Sequence, residues 1–87
     1  MSSLDQEFDK YSNKARSLSF QPSNEELSNI YGLYKQATEG DNDTQKPGFL
    51  DLKGRAKWEA WTSKKGLSKT EAKTKYVDYI KALIASH

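Results

Sequence analysis

Residues 22–40 of the chain read Pro-Ser-Asn-Glu-Glu-Leu-Ser-Asn-Ile-Tyr-Gly-Leu-Tyr-Lys-Gln-Ala-Thr-Glu-Gly, which describes a helix with both ends marked. Pro22 disfavours helical backbone at the residue before it, and Ser23 followed by Glu26 has the spacing of a reciprocal capping box. Gly40 stands where a left-handed C-terminal cap is expected. The apolar positions cover more than one face, which predicts contact with more than one neighbour: Leu27, Ile30, Tyr31, Leu33, Tyr34 and Ala37.

The sequence predicts one helix before this segment and another after it. Apolar residues step by three and four positions from Leu4 to Leu18, which predicts a first helix that ends near Phe20. Asp51 is expected to cap a third helix, which carries both tryptophans and ends at the Lys-Lys-Gly of residues 64–66. Residues 41–48 are dense in turn formers and form the longest predicted loop.

A fourth helix follows a second capping box, formed by Ser68 and Glu71. Its apolar stripe continues towards the C-terminus, and no stretch of the chain alternates as a strand would. With 87 residues and no internal repeat, the sequence predicts one all-α bundle and a single domain over residues 1–87. Mean hydropathy is low, but ten aromatic residues supply enough apolar area for a folded core.

Several classes of function lack their chemistry in this sequence. There is no cysteine, and the one histidine, His87, is the last residue, where catalytic geometry is rarely held. The acidic segment that begins at Asp41 has Lys46 and Leu52 where a calcium loop needs Gly and Glu. No glycine-rich phosphate loop is present. We therefore expect neither an enzyme nor a metal or cofactor site.

The distribution of charge along the chain is uneven. Up to Leu50 there are five basic and eight acidic residues, and from Asp51 onward nine basic and four acidic ones. A solvated helix surface or an anion site would both explain the basic half, whereas the acidic first half argues against nucleic acid. The polar N-terminus lacks a signal peptide, and no apolar run has membrane-spanning length, so we expect a soluble intracellular protein without stable membrane insertion.

Tyrosines and lysines recur at helical spacing. Tyr31, Tyr34 and Lys35 share one face of the second helix, Lys53 and Lys57 form a row on the third, and Tyr76 offers a phenol from the fourth. Singly, each could be a half-buried packing residue or a solvating lysine. Together they fit a ligand with a flat ring, phosphates and an apolar chain. A nucleotide, a phospholipid or a partner helix could use the same residues.

The segment of residues 22–40, with its Tyr-x-x-Tyr-Lys-Gln-Ala-Thr-x-Gly core, resembles the signature of the acyl-CoA-binding protein family. The similarity continues through Lys-Pro-Gly at residues 46–48 and Asp-Leu-Lys-Gly-Arg-Ala-Lys-Trp-Glu-Ala-Trp at residues 51–61. It implies an antiparallel four-helix bundle that binds medium- to long-chain acyl-CoA one to one, without catalysis. It also implies a cytoplasmic, monomeric carrier that serves acyl-CoA-using enzymes. A protein-interaction module that uses the basic aromatic face is the alternative.

The resemblance also assigns ligand contacts by motif position. Tyr31 would stack on or flank the adenine, Lys35 would contact the 3'-phosphate region, and Lys57 would contact the phosphates. Tyr76 would meet the polar head, Tyr34 and Lys53 would complete that surface, and Arg16 could reach the phosphate or thioester region. The sequence departs from the family at Tyr11, Gln21 and Leu27. We expect Tyr11 and Phe20 to narrow or line the acyl groove.

Overall fold

The computed structural model describes residues 3–87. Met1 and Ser2, where the segment without signal-peptide features begins, lie outside the described residues. The helices are α1 (Leu4–Arg16), α2 (Asn24–Glu39), α3 (Leu52–Thr62) and α4 (Lys69–Ala85), and this part of the chain contains no strand. The all-α, four-helix prediction is confirmed. Within residues 3–87 no helix is both long enough and apolar enough to cross a bilayer.

The helix directions refine the antiparallel expectation. α1 and α4 run the same way, because Asp5 pairs with Lys73 and Glu7 pairs with Lys81. α2 and α3 are also parallel, since residues early in both helices line the same cleft and Gly32 lies against Ala60 further along. α4 packs antiparallel on α2, because Gln36, late in α2, bonds to Leu67 just before α4, whereas Asn29, early in α2, shares a cavity with Ala82, late in α4. α2 is the only helix among the described residues to contact both α3 and α4.

The long loop makes the parallel pairing of α2 and α3 possible. A helix of 16 residues is about 24 Å long, so the chain must return that distance before α3 can start beside the start of α2. The connecting residues 41–51 can reach roughly 36 Å when extended, which is sufficient. The turn-forming residues predicted this loop from the sequence. Among the sequence patterns, only the length of the loop indicated that α3 could run parallel to α2.

Local end signals agree with the structure in most places. Ser23 with Glu26 and Ser68 with Glu71 form the predicted capping boxes, and Ser3 with Gln6 forms a third one that the pattern analysis did not identify. The side chain of Asp51 accepts a hydrogen bond from the backbone N–H of Gly54 at 2.9 Å, as expected for its cap.

Three helix ends differ from the predictions. α3 ends at Thr62, before the predicted Lys-Lys-Gly, and residues 63–66 form turns. α1 ends at Arg16, so Leu18 lies beyond the helix rather than on its apolar stripe. Gly40 has a positive φ of 82°, as predicted, but its ψ of −154° is extended rather than left-handed helical. The helix therefore ends at Glu39, and residues 41–51 form the loop that leads to α3.

The core is built around α4. Its buried face presents Ala72, Tyr76, Val77, Ile80 and Leu83 to Phe8 of α1 and to Leu33 and Ala37 of α2. The Tyr76 ring lies 4.9 Å from the Phe8 ring and 5.9 Å from the Tyr34 ring, centroid to centroid. The aromatic side chains thus join three helices in one cluster.

A second set of contacts holds α3 against α2. Trp61 is buried, and its indole N–H donates to the carbonyl oxygen of Gly40 at 2.8 Å. Trp58 is half-buried outside the core and donates to the carbonyl oxygen of Thr44 at 3.0 Å. Gly32 provides the closest approach, because a Cβ there would collide with the carbonyl oxygen of Ala60.

A buried amide connects the end of α2 to the turn before α4. The Gln36 side chain is fully buried, and its Nε2 donates to Asp41 Oδ1 and to the Leu67 carbonyl oxygen, both at 2.7 Å. Asp41 Oδ1 also accepts from the backbone N–H of Gly66 at 3.0 Å. The Gly66 hydrogen bond, together with that from Gln36, lowers the pKa of the Asp41 carboxyl.

Gly32→Ala should destabilise the fold by about 1 to 3 kcal/mol, since the added methyl forces α2 and α3 apart. Urea unfolding followed by circular dichroism measures the change. Gly48→Ala is the matched control, because a Cβ at Gly48 meets nothing within 4 Å. Equal midpoints for both variants would show that the approach of α2 to α3 is not tight.

Acid should remove the stabilisation that Asp41 provides. Because its folded pKa lies below the ordinary value, the contribution is complete above that ordinary value and disappears as pH falls through the folded pKa. We therefore compare thermal unfolding midpoints between about pH 6 and pH 2. As pH is lowered, the midpoint of Asp41→Asn should fall less than that of the unmodified protein. Asp43→Asn, two residues away, is the control. If it reduces the pH dependence of the unfolding midpoint as much as Asp41→Asn does, the acid sensitivity does not come from Asp41.

Candidate ligand-binding site

Two clefts meet on the surface of α2. The first, of about 310 Å³, lies between α1 and α2 and reaches α4; it is called here the α1/α2 cleft. The second, of about 570 Å³, is the α2/α3 cleft. Leu27 and Tyr31 line both clefts, so the two clefts adjoin along α2, and together they are called here the groove. The groove exists because α2 lies between α3 on one side and α1 and α4 on the other.

The α1/α2 cleft carries hydroxyl groups and a guanidinium. Its lining comprises Ser12, Ala15, Arg16, Leu27, Ile30, Tyr31, Tyr34 and Tyr76. Ser12 and Arg16 are one turn apart on α1, and their side chains face the same opening. Arg16 has no carboxylate within ion-pair distance among residues 3–87. The cleft therefore offers a cation, phenols and ring surfaces together.

Tyr76 reaches the α1/α2 cleft from the core. Only 2% of the residue is exposed, and its ring belongs to the core cluster. Burial raises the pKa of the Tyr76 phenol, so the hydroxyl stays protonated near neutral pH and can donate a hydrogen bond.

The α2/α3 cleft combines apolar walls with two ammonium groups. Its lining comprises Asn24, Leu27, Ser28, Tyr31, Lys53, Ala56, Lys57 and Ala60. Lys57 Nζ lies 5.8 Å from the centroid of the Tyr31 ring. Neither Lys53 nor Lys57 forms an ion pair within the described part of the chain. Both ammonium groups can therefore meet an external anion.

Leu27 gives the groove an apolar centre that water reaches. The residue is 41% exposed although it stands where both clefts join. Small side chains at Ala56 and Ala60 leave room on the facing surface of α3. Covering this surface with a hydrocarbon chain would gain roughly 0.8 kcal/mol per buried methylene.

Lys35 is separated from the other predicted contacts. It shares a helical face with Tyr31 and Tyr34, yet it lines neither cleft. Its ammonium group pairs with Glu39 and lies 4.7 Å from the centroid of the Trp61 ring. The hydrogen bond to Glu39 raises the pKa of Lys35. The structure thus brings together Arg16, Tyr31, Tyr34 and Tyr76 in one cleft and Lys53 and Lys57 in the other, and leaves Lys35 outside both.

Tyr11 and Phe20, which were expected to narrow or line the acyl groove, line neither of the two clefts. Tyr11 faces the α1/α4 surface, where the ammonium group of Lys81 lies 5.4 Å from its ring centroid. Phe20 stacks on His87 with ring centroids 3.7 Å apart. Of the positions where the sequence departs from the family, Leu27 lines the groove.

Ser12 is a groove residue that pattern analysis did not single out. The residue is 8% exposed, and its side chain lies beside the Tyr76 phenol. Its position one turn before Arg16 was the available signal, but the helical periodicity of α1 alone could not show which neighbouring helix Ser12 faces.

For metal binding, no group of three or more potential ligands occurs within residues 3–87.

Comparison with known proteins gives a consistent result. A family model described as Acyl CoA binding protein matches residues 5–80. The acyl-CoA-binding protein homolog of Drosophila melanogaster is 45% identical over 97% of this chain and 98% of its own length. Homolog 1 of Caenorhabditis elegans is 50% identical over 92% of this chain and 93% of its own length.

Solved structures agree with the sequence relatives. The crystal structure of Oryza sativa acyl-CoA-binding protein 2 has a TM-score of 0.94 and 43% identity over 97% of this chain and 93% of that chain. The solution structure of the yeast acyl coenzyme A binding protein has a TM-score of 0.74 and 43% identity over 95% of this chain and 96% of that chain. On the family match, the near-complete relatives and the shared fold, this chain belongs to the acyl-CoA-binding protein family.

Proposed function

We propose that this protein binds medium- to long-chain fatty acyl-CoA esters one to one and carries them without catalysing a reaction. The observation that supports this most is the groove, in which a cleft rich in phenols adjoins an apolar cleft with two ammonium groups. An acyl-CoA has the matching parts: a purine ring, phosphates and a hydrocarbon chain.

The two clefts suggest how the ligand lies. The nucleotide head occupies the α1/α2 cleft, where Tyr31 offers a ring face and Arg16 a guanidinium for phosphate. Tyr34 and Tyr76 add phenols at the same opening. The acyl chain follows α2 past Leu27 into the α2/α3 cleft. Burial of the chain supplies most of the affinity, because each methylene adds a similar increment.

Lysines that line the α2/α3 cleft hold the phosphates. Lys57, beside the Tyr31 ring, is in place for a direct contact, and Lys53 lies one turn away at the same cleft. Lys35 reaches the 3'-phosphate only after its ammonium group leaves Glu39. The exchange of one anionic partner for another makes the net gain from Lys35 smaller than that from Lys57.

The wider role follows from the same ligand. Residues 1–87 act as a single acyl-CoA-binding domain, monomeric and cytoplasmic, that keeps a pool of acyl-CoA in solution and delivers it to acyl-CoA-using enzymes. The apolar tail is sheltered in the groove during transfer. No resident cofactor takes part in this function.

Titration calorimetry with palmitoyl-CoA, free CoA and palmitate tests the proposal. The ester should bind far more tightly than either fragment, because one covalent linkage lets the head and the tail contribute together. A stoichiometry of one is expected. Absence of heat with all three compounds would rule out an acyl-CoA carrier and would favour a protein-interaction module.

Lys57→Ala should weaken palmitoyl-CoA binding by about 1.5 to 3 kcal/mol, which is the range for a charge-assisted hydrogen bond. The free energy of unfolding should change little, since Lys57 forms no ion pair among residues 3–87. Lys75→Ala is the matched control, because Lys75 lies on α4 outside the groove. Similar losses of affinity in both variants would point to general electrostatics rather than to a phosphate contact.

A further inference from the structure

Three large apolar side chains remain exposed where the crossing loop meets α3. Phe49 is 73% exposed, Leu50 84% and Leu52 74%. The other large hydrophobic residues exposed among residues 3–87, Leu27 and Ile84, reach only 41% and 39%. The most exposed apolar area thus lies within four consecutive positions, called here the loop tip: Phe49, Leu50 and Leu52.

The loop that presents this tip is braced on both sides. Asn42 is buried and donates from Nδ2 to Thr62 Oγ1 at 2.9 Å, and the Trp58 indole donates to the Thr44 carbonyl. Next to the tip, the backbone N–H of Asp51 donates to the Gly48 carbonyl oxygen at 3.0 Å. These hydrogen bonds anchor the loop on α3 and close a turn at residues 48–51, while the apolar side chains of the tip stay exposed. A contiguous exposed apolar patch usually marks a binding surface.

Charge around the loop tip indicates what covers it. Residues 46–57 carry four basic side chains and one carboxylate, that of Asp51. Lys46 pairs with Glu59 at 3.5 Å, while Lys53, Arg55 and Lys57 have no ion pair within the described part of the chain. A projecting apolar tip surrounded by cations matches an anionic lipid surface, where apolar groups enter the acyl boundary and cations meet phosphate.

We propose that the loop tip docks this protein onto anionic membranes, with Phe49 and Leu50 entering the headgroup and acyl boundary and Lys53 and Arg55 contacting lipid phosphates. Docking rests on the loop tip and the first turn of α3 and does not require bound acyl-CoA. Lys53 also lines the α2/α3 cleft and follows Leu52 directly, so docking places the opening of that cleft at the bilayer surface. If the proposed carrier function holds, an acyl chain could pass between membrane and groove with little exposure to water.

Co-sedimentation with vesicles of equimolar phosphatidylcholine and phosphatidylserine tests the proposal. The full chain should bind these vesicles and bind pure phosphatidylcholine vesicles much less. The double variant Phe49→Ser, Leu50→Ser should lower the partition coefficient roughly tenfold or more, because two large side chains no longer enter the lipid. Ile84→Ser on α4 is the matched control and should partition like the unmodified protein.

A tryptophan at the tip gives a direct measure of insertion. Leu50→Trp should show added fluorescence quenching by brominated lipid in the same anionic vesicles, beyond that of the native tryptophans. Failure of the unmodified protein to bind anionic vesicles at low salt would overturn the proposal. So would equal binding of the Phe49→Ser, Leu50→Ser variant, or absence of added quenching at position 50.

Palmitoyl-CoA binding separates this proposal from the carrier function. Phe49 and Leu50 line neither cleft, so the double variant should bind palmitoyl-CoA with unchanged affinity, which also shows that it is folded. Vesicle binding without palmitoyl-CoA binding would leave the docking surface in place and remove the carrier. Palmitoyl-CoA binding without vesicle binding would do the reverse.

Discussion

The packing of α2 between two neighbours is the constraint on which the other features depend. One face of α2 packs against α4 in the aromatic core, and another lies against α3 at Gly32. The surface left between these contacts is the groove, with Leu27 and Tyr31 at its centre. Any change that rotated α2 to bury Leu27 would expose core residues such as Leu33. The stability of the bundle and the openness of the groove are thus set by the same helix orientation.

Features governed by neighbours in sequence were predictable. The capping boxes at Ser23 and Ser68 and the cap at Asp51 depend on residues three positions apart, and all are present. The broad apolar surface of α2 correctly indicated two neighbours. Helix direction was not predictable in the same way, because a periodic stripe reads the same whether its partner runs parallel or antiparallel.

The groove shows a similar division. Spacing correctly put Lys53 and Lys57 in one row, and the structure places both at one cleft. Spacing also put Lys35 with Tyr31, but Glu39, one turn further along, attracts its ammonium group elsewhere. The orientation of Tyr11 depended on which face of α1 meets α4, a tertiary choice that the residues of α1 alone do not encode. Sequence patterns were least informative for side chains such as Lys35 and Tyr11, which could face either of two neighbouring surfaces.

The pairing of α1 with α4 also bears on how the chain folds during synthesis. Asp5 and Lys73, which form one of its contacts, are 68 positions apart, and α1 has no comparably extensive contact with α2 or α3. While a ribosome still holds the α4 segment, Phe8 has no Tyr76 to pack against. The nascent chain can therefore form capped helical turns early, but its core closes only after α4 has emerged. The meeting of α1 and α4 therefore carries the entropic cost of closing a long loop.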